Sequence, residues 1–243
     1  MANRKSKRAL STVVTVLLVV VVIWMKYDET RDAQRREGGV RDKDVEMLFP
    51  DSASARQAIA ERLVPVRLGS ARYDTLEDCS LMDHRGNDGD SFHVMTPKGR
   101  KEFRLYYVDA PESAARTYGP GEDNYKRIAQ QGRAMGGLTR VETTQVGVAA
   151  KIFVGKLLKG RKFQVVTSWE NVYDARRQYA FIIVPWEGRA RYLHELLVAH
   201  GLARIYTKPA ALPDNTPATR HKKRLRELEQ HAQKRHYGAW GVR

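Results

Sequence analysis

The sequence predicts an α+β chain: a five-stranded OB-type Greek-key β-barrel with three packed helices, preceded by a single N-terminal transmembrane helix. Three observations lead there. After residue 67, short strand-like runs recur in the order three strands, helix, two strands, two helices, which suits a small closed barrel. Apolar residues at helical spacing mark three segments, around 146–157, 193–201 and 216–236. Residues 9–25, ALSTVVTVLLVVVVIWM, carry no charge at all, near the lower length limit for a membrane span.

The amino end justifies the anchor. MANRKSKR is a basic head over residues 1–8, and no small-x-small cleavage site follows the apolar run, where Trp24 and Lys26 stand as interfacial anchors. A signal anchor with the remaining domain outside the cytoplasm is expected, a cleaved signal peptide being the alternative. Charges flank both sides, Arg4, Lys5, Lys7 and Arg8 before and Lys26, Arg31, Arg35 and Arg36 after. The first set favours an amino end kept inside. Residues 26–66 are charged, contain Gly38-Gly39 and Pro50, and are assigned as a stalk with one short helix near Ser54–Leu63.

The barrel domain is placed at 67–243. Strands are expected in Tyr73–Met82, at Ser91–Thr96 and at Glu102–Val108, with Pro97-Lys98-Gly99 turning between the last two. In Glu102–Val108 the apolar Phe103, Leu105 and Tyr107 alternate with Arg104 and Tyr106, giving a buried face and a mixed one. Segment 114–142 lacks periodicity and is assigned as an inserted loop with some helix. Val146, Ala149, Ala150, Phe153 and Leu157 then repeat at helical spacing until Gly160. Strands at Lys162–Thr167 and Tyr179–Val184 follow. A helix through Leu193, Leu196 and Leu197 stops at Gly201, and a last one opens at Thr216-Pro217.

Among 243 residues, 43 Lys and Arg outnumber 28 Asp and Glu, for a formal charge of +15. This balance points to polyanions, either nucleic acid or an acidic membrane surface, or to a basic surface with no partner. One cysteine, Cys79, excludes an intramolecular disulfide. His194-Glu195 does not continue into a zinc-protease spacing, since Val198 stands where the second histidine belongs. No protein partner is inferred.

Against that basic background, Asp88, Asp90, Asp109 and Glu112 crowd one arginine, Arg104. Asp88-Gly89-Asp90 is ordinary turn chemistry by itself, and Arg104 could serve only as a structural ion pair. The two acidic groups, however, sit at ends of strands joined by a tight turn. Two aspartates converging there would offer the hard oxygens that Ca²⁺ prefers.

DGDSF followed by FRLYYVDAPES resembles the staphylococcal nuclease family, whose pattern is DGDT, FRL and VD-x-PE. HELLVAHGLARIY and the carboxy-terminal Gly238-Ala239-Trp240-Gly241 resemble its later segments, so the likeness spans roughly residues 70–243. It implies Ca²⁺ on Asp90 and Asp109, a catalytic glutamate at Glu112 and a first catalytic arginine at Arg104. Aligning Tyr179-Ala180-Phe181-Ile182 puts the second arginine at Arg177, with Arg176 beside it as an alternative and a nucleic-acid contact. It further implies hydrolysis of DNA or RNA with little sequence preference, leaving 3′-phosphate ends. Ala110 replaces the family's threonine, Ser91 its DGDT threonine and Ala175 a nucleotide-contacting tyrosine, while Tyr206 falls one position before another. A membrane-anchored barrel that binds nucleic acid without cutting is the alternative.

Overall fold

The computed structural model describes residues 48–50, 52–173 and 177–242. The expected span at 9–25 lies outside the described residues; among those described, no helix is long and apolar enough to cross a membrane.

Helix α1, Ala53–Ala60, starts at Ser52, whose hydroxyl accepts from the Ala55 amide at 3.2 Å. Strands β1 (Asp74–Leu81), β2 (Ser91–Thr96) and β3 (Gly99–Leu105) form a meander. The turn between β2 and β3 pairs Thr96 with Gly99, and Gly99 takes φ 87°, a left-handed value that glycine reaches without a Cβ penalty. Strands β4 (Val108–Asp109), β5 (Thr117–Gly119) and β6 (Glu122–Asp123), then helices α2 (Tyr125–Ala134) and α3 (Arg140–Leu158), lead to β7 (Phe163–Thr167), β8 (Arg177–Trp186) and β9 (Arg189–Tyr192). Helix α4 (Leu193–Ala199), β10 (Arg204–Ile205) and helix α5 (Ala218–Lys234) complete the order, with a 3₁₀ turn at Gly238–Gly241.

β1 pairs with β2 and β7, β2 with β3, β7 with β8, and a parallel β3–β8 pairing closes the ring. The expected five-stranded barrel of OB type is thus present, with α3, α4 and α5 as the expected helices. Closure removes the exposed strand edges that an open sheet would leave. The segment 114–142 is not all loop: it contains a small hairpin, α2, and the start of α3. A capping box starts α3, with Thr139 Oγ1 accepting from the Glu142 amide and Glu142 Oε2 accepting from the Thr139 amide at 2.7 Å.

Two features depart from the pattern reading. The expected strand Glu102–Val108 breaks after Leu105, because Tyr107 takes φ 71°. Both Tyr106 and Tyr107 are buried, and Tyr107 donates its hydroxyl to the Ala210 carbonyl. The chain therefore turns, and Val108–Asp109 pairs with Arg204–Ile205 instead of continuing β3. The second departure concerns the stalk placed at 26–66. Its described part packs on the barrel: Phe49, Ile59 and Leu63 belong to the same core as Phe103, Phe153 and Leu196. Arg191 donates to the carbonyls of Ala60, Leu63 and Val64 at 3.0, 3.2 and 3.4 Å, capping the end of α1. Apolar residues within a charged stretch, rather than its overall composition, decide where the core begins.

Candidate active site

The site begins at the tight loop before β2. Asp88 Oδ1 accepts from the amides of Asp90 and Ser91 at 3.0 and 2.8 Å, so Asp88 does turn work. A Cβ on Gly89 would lie 2.6 Å from the Ala110 Cβ and 2.8 Å from the Ala150 Cβ. Only glycine lets this loop press against α3 and the 109–112 segment together.

That packing aims Asp90 inward, where it is buried. Its Oδ1 accepts from the Ser91 hydroxyl at 2.9 Å, and its Oδ2 accepts from Arg104 Nη2 at 3.1 Å and the Ala110 amide at 2.9 Å. Burial pushes its carboxyl up to about 7, with the Asp88 charge adding and Arg104 opposing. Burial disfavours the charge on Arg104, yet Asp90, Asp109 and Asp88 outweigh it and hold its pKa above the ordinary value.

Barrel register brings the two candidate arginines together. Arg104 stands opposite Ser91 on β2, while Arg177 opens β8 opposite Glu102. Both guanidiniums donate to one atom: Arg104 Nη1 and Arg177 Nη1 each lie 3.3 Å from Ser91 Oγ. Arg177 is otherwise loosely held, with Glu102 at 3.9 Å. Arg176 lies outside the described residues.

Asp109 is the most heavily bonded acid. Its Oδ1 accepts from Arg104 Nη2 at 2.7 Å and Arg127 Nη2 at 2.8 Å. Its Oδ2 accepts from Gln131 Nε2 at 3.0 Å and from Arg204 Nε at 2.9 Å, with Arg204 Nη2 in ionic contact at 2.9 Å. Glu112 meets Arg127 Nε at 2.8 Å, and its backbone amide donates to Gln131 Oε1 at 3.0 Å. Gln131 also donates to the Ala110 carbonyl at 3.1 Å. One buried side chain on α2 thus fixes Asp109, Ala110 and Glu112 relative to one another.

A cleft of about 890 Å³ opens over this cluster, with Arg104, Asp109, Arg127, Arg177, Tyr206 and Lys208 on its walls. Tyr206 is 66% exposed, and the Arg204 guanidinium lies 3.9 Å from its ring centroid. Tyr173, fully exposed, lines the same cleft. It stands two positions before Ala175, which replaces the nucleotide-contacting tyrosine of the family pattern.

The structure therefore brings together Asp90, Arg104, Asp109 and Arg177, joins Glu112 to them through Arg127, and sets Tyr206 on the cleft wall. Sequence reading missed Arg127, Gln131 and Arg204. The available signal for α2 was Ile128, Gln131, Gly132 and Met135 at one-face spacing, all buried.

For a hard cation the donors fit in kind: two carboxylates meet at one Arg104 nitrogen, beside the Ala110 carbonyl. Each Asp109 oxygen already accepts two bonds from protein donors, so a cation reaching Asp109 must displace one of them. Among the described residues, no group of three or more His, Cys, Asp or Glu side chains is arranged to hold a metal ion.

The model of the family described as staphylococcal nuclease homologue covers residues 102–242, a stretch with Arg104, Asp109, Glu112, Arg177 and Tyr206 inside it and Asp90 before it. No curated protein matches the chain. On a family match over more than half its length, joined to the closed five-stranded barrel, the chain belongs to the staphylococcal nuclease homologue family.

Proposed function

We propose that the chain is a nuclease, hydrolysing phosphodiester bonds of DNA or RNA with little sequence preference and leaving 3′-phosphate ends. The observation that carries this is the convergence of Arg104 and Arg177 on the single Ser91 hydroxyl at the base of an open cleft. A phosphodiester is anionic already, and attack on it gathers further charge on the equatorial oxygens. Two guanidiniums aimed at one point stabilise that charge, each with a planar fork that matches a pair of phosphate oxygens.

Glu112 orients and deprotonates the attacking water once it parts from Arg127, a role typically worth about 10²–10⁴-fold. Gln131 holds the Glu112 backbone so that the carboxylate returns to the same place. Asp90 and Asp109 keep Arg104 fixed and charged. Ca²⁺ would be held by Asp90, Asp109 and the Ala110 carbonyl, and when bound it supplies Lewis-acid stabilisation of the phosphoryl oxygens. Tyr206 and Lys208 offer a stacking face and a phosphate contact along the cleft.

The self-neutralised carboxylates favour one other reading, a barrel that grips nucleic acid without cutting it. Short DNA and RNA strands incubated with the purified chain and Ca²⁺ separate the two. Fragments bearing 3′-phosphates support the nuclease, and salt-sensitive binding with intact strands in every divalent metal supports the binder. From the uncharged run at 9–25 we also propose a membrane-anchored chain with its domain outside the cytoplasm. Protease accessibility of residue 48 onward in intact cells tests that placement.

A further inference from the structure

We infer that Arg127 is a displaceable latch: it covers an oxygen of Asp109, a ligand of the proposed cation position, together with Glu112, and a divalent cation enters only as Arg127 leaves. Asp109 accepts four hydrogen bonds, one from each of four side chains, and Arg204 Nη2 adds an ionic contact at 2.9 Å. A carboxylate presents only about four lone-pair directions, so one donor must yield before a metal can bind.

The four donors are not equally free to go. The side chains of Arg104 and Arg204 are 10% and 9% exposed, and Gln131 is fully buried with bonds to Glu112, Asp109 and Ala110. Arg127 is 46% exposed. It stands on the cleft wall, so it withdraws into open space rather than into packed protein. Holding a long side chain in one rotamer also costs entropy that its release returns.

The same guanidinium spans two functions. Nη2 covers Asp109 Oδ1 at 2.8 Å, and Nε covers Glu112 Oε1 at 2.8 Å. One rotation therefore opens a lone pair of Asp109 Oδ1, which keeps its bond from Arg104, and uncovers Glu112 Oε1 at the same time. Like charge makes the exclusion reciprocal: a divalent cation beside Asp109 repels Arg127, and Arg127 in place repels the cation. Because α2 belongs to the inserted segment, this coupling comes from the insertion rather than from the barrel. The Glu112 half rests on the nuclease reading; the cation half does not.

The test is calorimetric titration of Ca²⁺ alone into the purified full-length chain and into Arg127→Ala, Arg127→Lys and Arg133→Ala. Arg133 is exposed on the same helix and controls for the loss of any positive charge. Arg127→Ala should bind Ca²⁺ about fivefold more tightly than the wild type. Arg127→Lys should fall between them, and Arg133→Ala should stay within about twofold of the wild type. Arg127→Ala binding no tighter than Arg133→Ala, or no binding by either Arg127→Ala or wild type, overturns the latch. If circular dichroism shows Arg127→Ala unfolded, Arg127→Lys decides by the same comparison. Cleavage assays run in parallel keep the two ideas apart. The expected affinity ratio with no cleavage refutes the nuclease alone, and cleavage without the ratio refutes the latch alone.

Discussion

Gly147 is the position at which a single methyl group should reach the chemistry. It lies within α3, where that helix passes under the carbonyls of Pro111 and Glu112. A Cβ added there would stand 2.5 Å from the Pro111 oxygen and 2.6 Å from the Glu112 carbonyl carbon, with the Glu112 oxygen nearer still. An ordinary contact begins near 3.4 Å, so helix or loop must give by about 1 Å. Both neighbours are backbone, and the loop is pinned by Gln131, so no flexible side chain absorbs the shift. Gly147→Ala gains roughly 1 kcal/mol of helix propensity and loses about 1–3 kcal/mol to overpacking. The melting temperature should fall by a few degrees, at about 2–4 °C per kcal/mol for a chain of this size. Displacing Glu112 by nearly an ångström should lower kcat about 10²-fold. Gly155→Ala in the same helix is the control. A Cβ there meets nothing within 4 Å, so it should stabilise the chain by about 0.5–1 kcal/mol and leave kcat unchanged. Scanning calorimetry and single-turnover cleavage read both effects. A Gly147→Ala protein as stable and active as Gly155→Ala would refute the reasoning.

Arg104→Ala leaves buried Asp90 without its cation, while Asp109 keeps Arg204. It should cost roughly 3 kcal/mol in urea denaturation, and a loss below about 1 kcal/mol would show that the pairing is not structural. A pH effect arises away from the cleft, where His194 and His221 share a 2.7 Å hydrogen bond and Glu195 Oε2 accepts from the Val64 amide at 3.3 Å. Burial pushes the Glu195 carboxyl from 4.5 up to about 8, against the opposing charges of Arg224 and Arg191. The native state thus keeps a proton that the unfolded chain has shed, so this group's share of stability declines as pH rises from 4.5 to 8. Burial lowers both histidines, His221 to about 4, so their share is lost as pH falls below 6.5. Glu195→Gln should therefore flatten the decline between about pH 6.5 and 8 and steepen the histidine-driven loss below 6.5, where the two groups oppose each other. An unchanged alkaline slope would contradict the assignment.

Much of the site was legible because it lies at strand ends. Alternation placed Arg104 on β3, the loop motifs placed Asp90 and Asp109, and the alignment of Tyr179-Ala180-Phe181-Ile182 placed Arg177 at the mouth of β8. Features set by tertiary packing were not legible. Nothing local marks Tyr107 for a left-handed backbone, yet that turn is what sets Asp109 against Arg204. Gln131 reads as a polar interruption of an apolar face until its three partners on the 109–112 segment are seen. The His194–His221 pair joins two helices whose facing no spacing rule supplies. Charge hid the packing of residues 48–66, since Phe49, Ile59 and Leu63 are few among many polar neighbours.

The central claim is that two arginines stabilise charge on a phosphodiester. Arg177→Ala tests it most directly, because Arg177 is half-buried and, among the described residues, its side chain meets Ser91 and a distant Glu102, so its loss should leave the fold intact. Single-turnover cleavage of a DNA strand with Ca²⁺ should fall about 10²–10³-fold against the wild type, the usual cost of removing one preorganised donor. Wild-type rates in Arg177→Ala, or no cleavage by the wild-type chain with Ca²⁺ or any other divalent metal, would contradict the account.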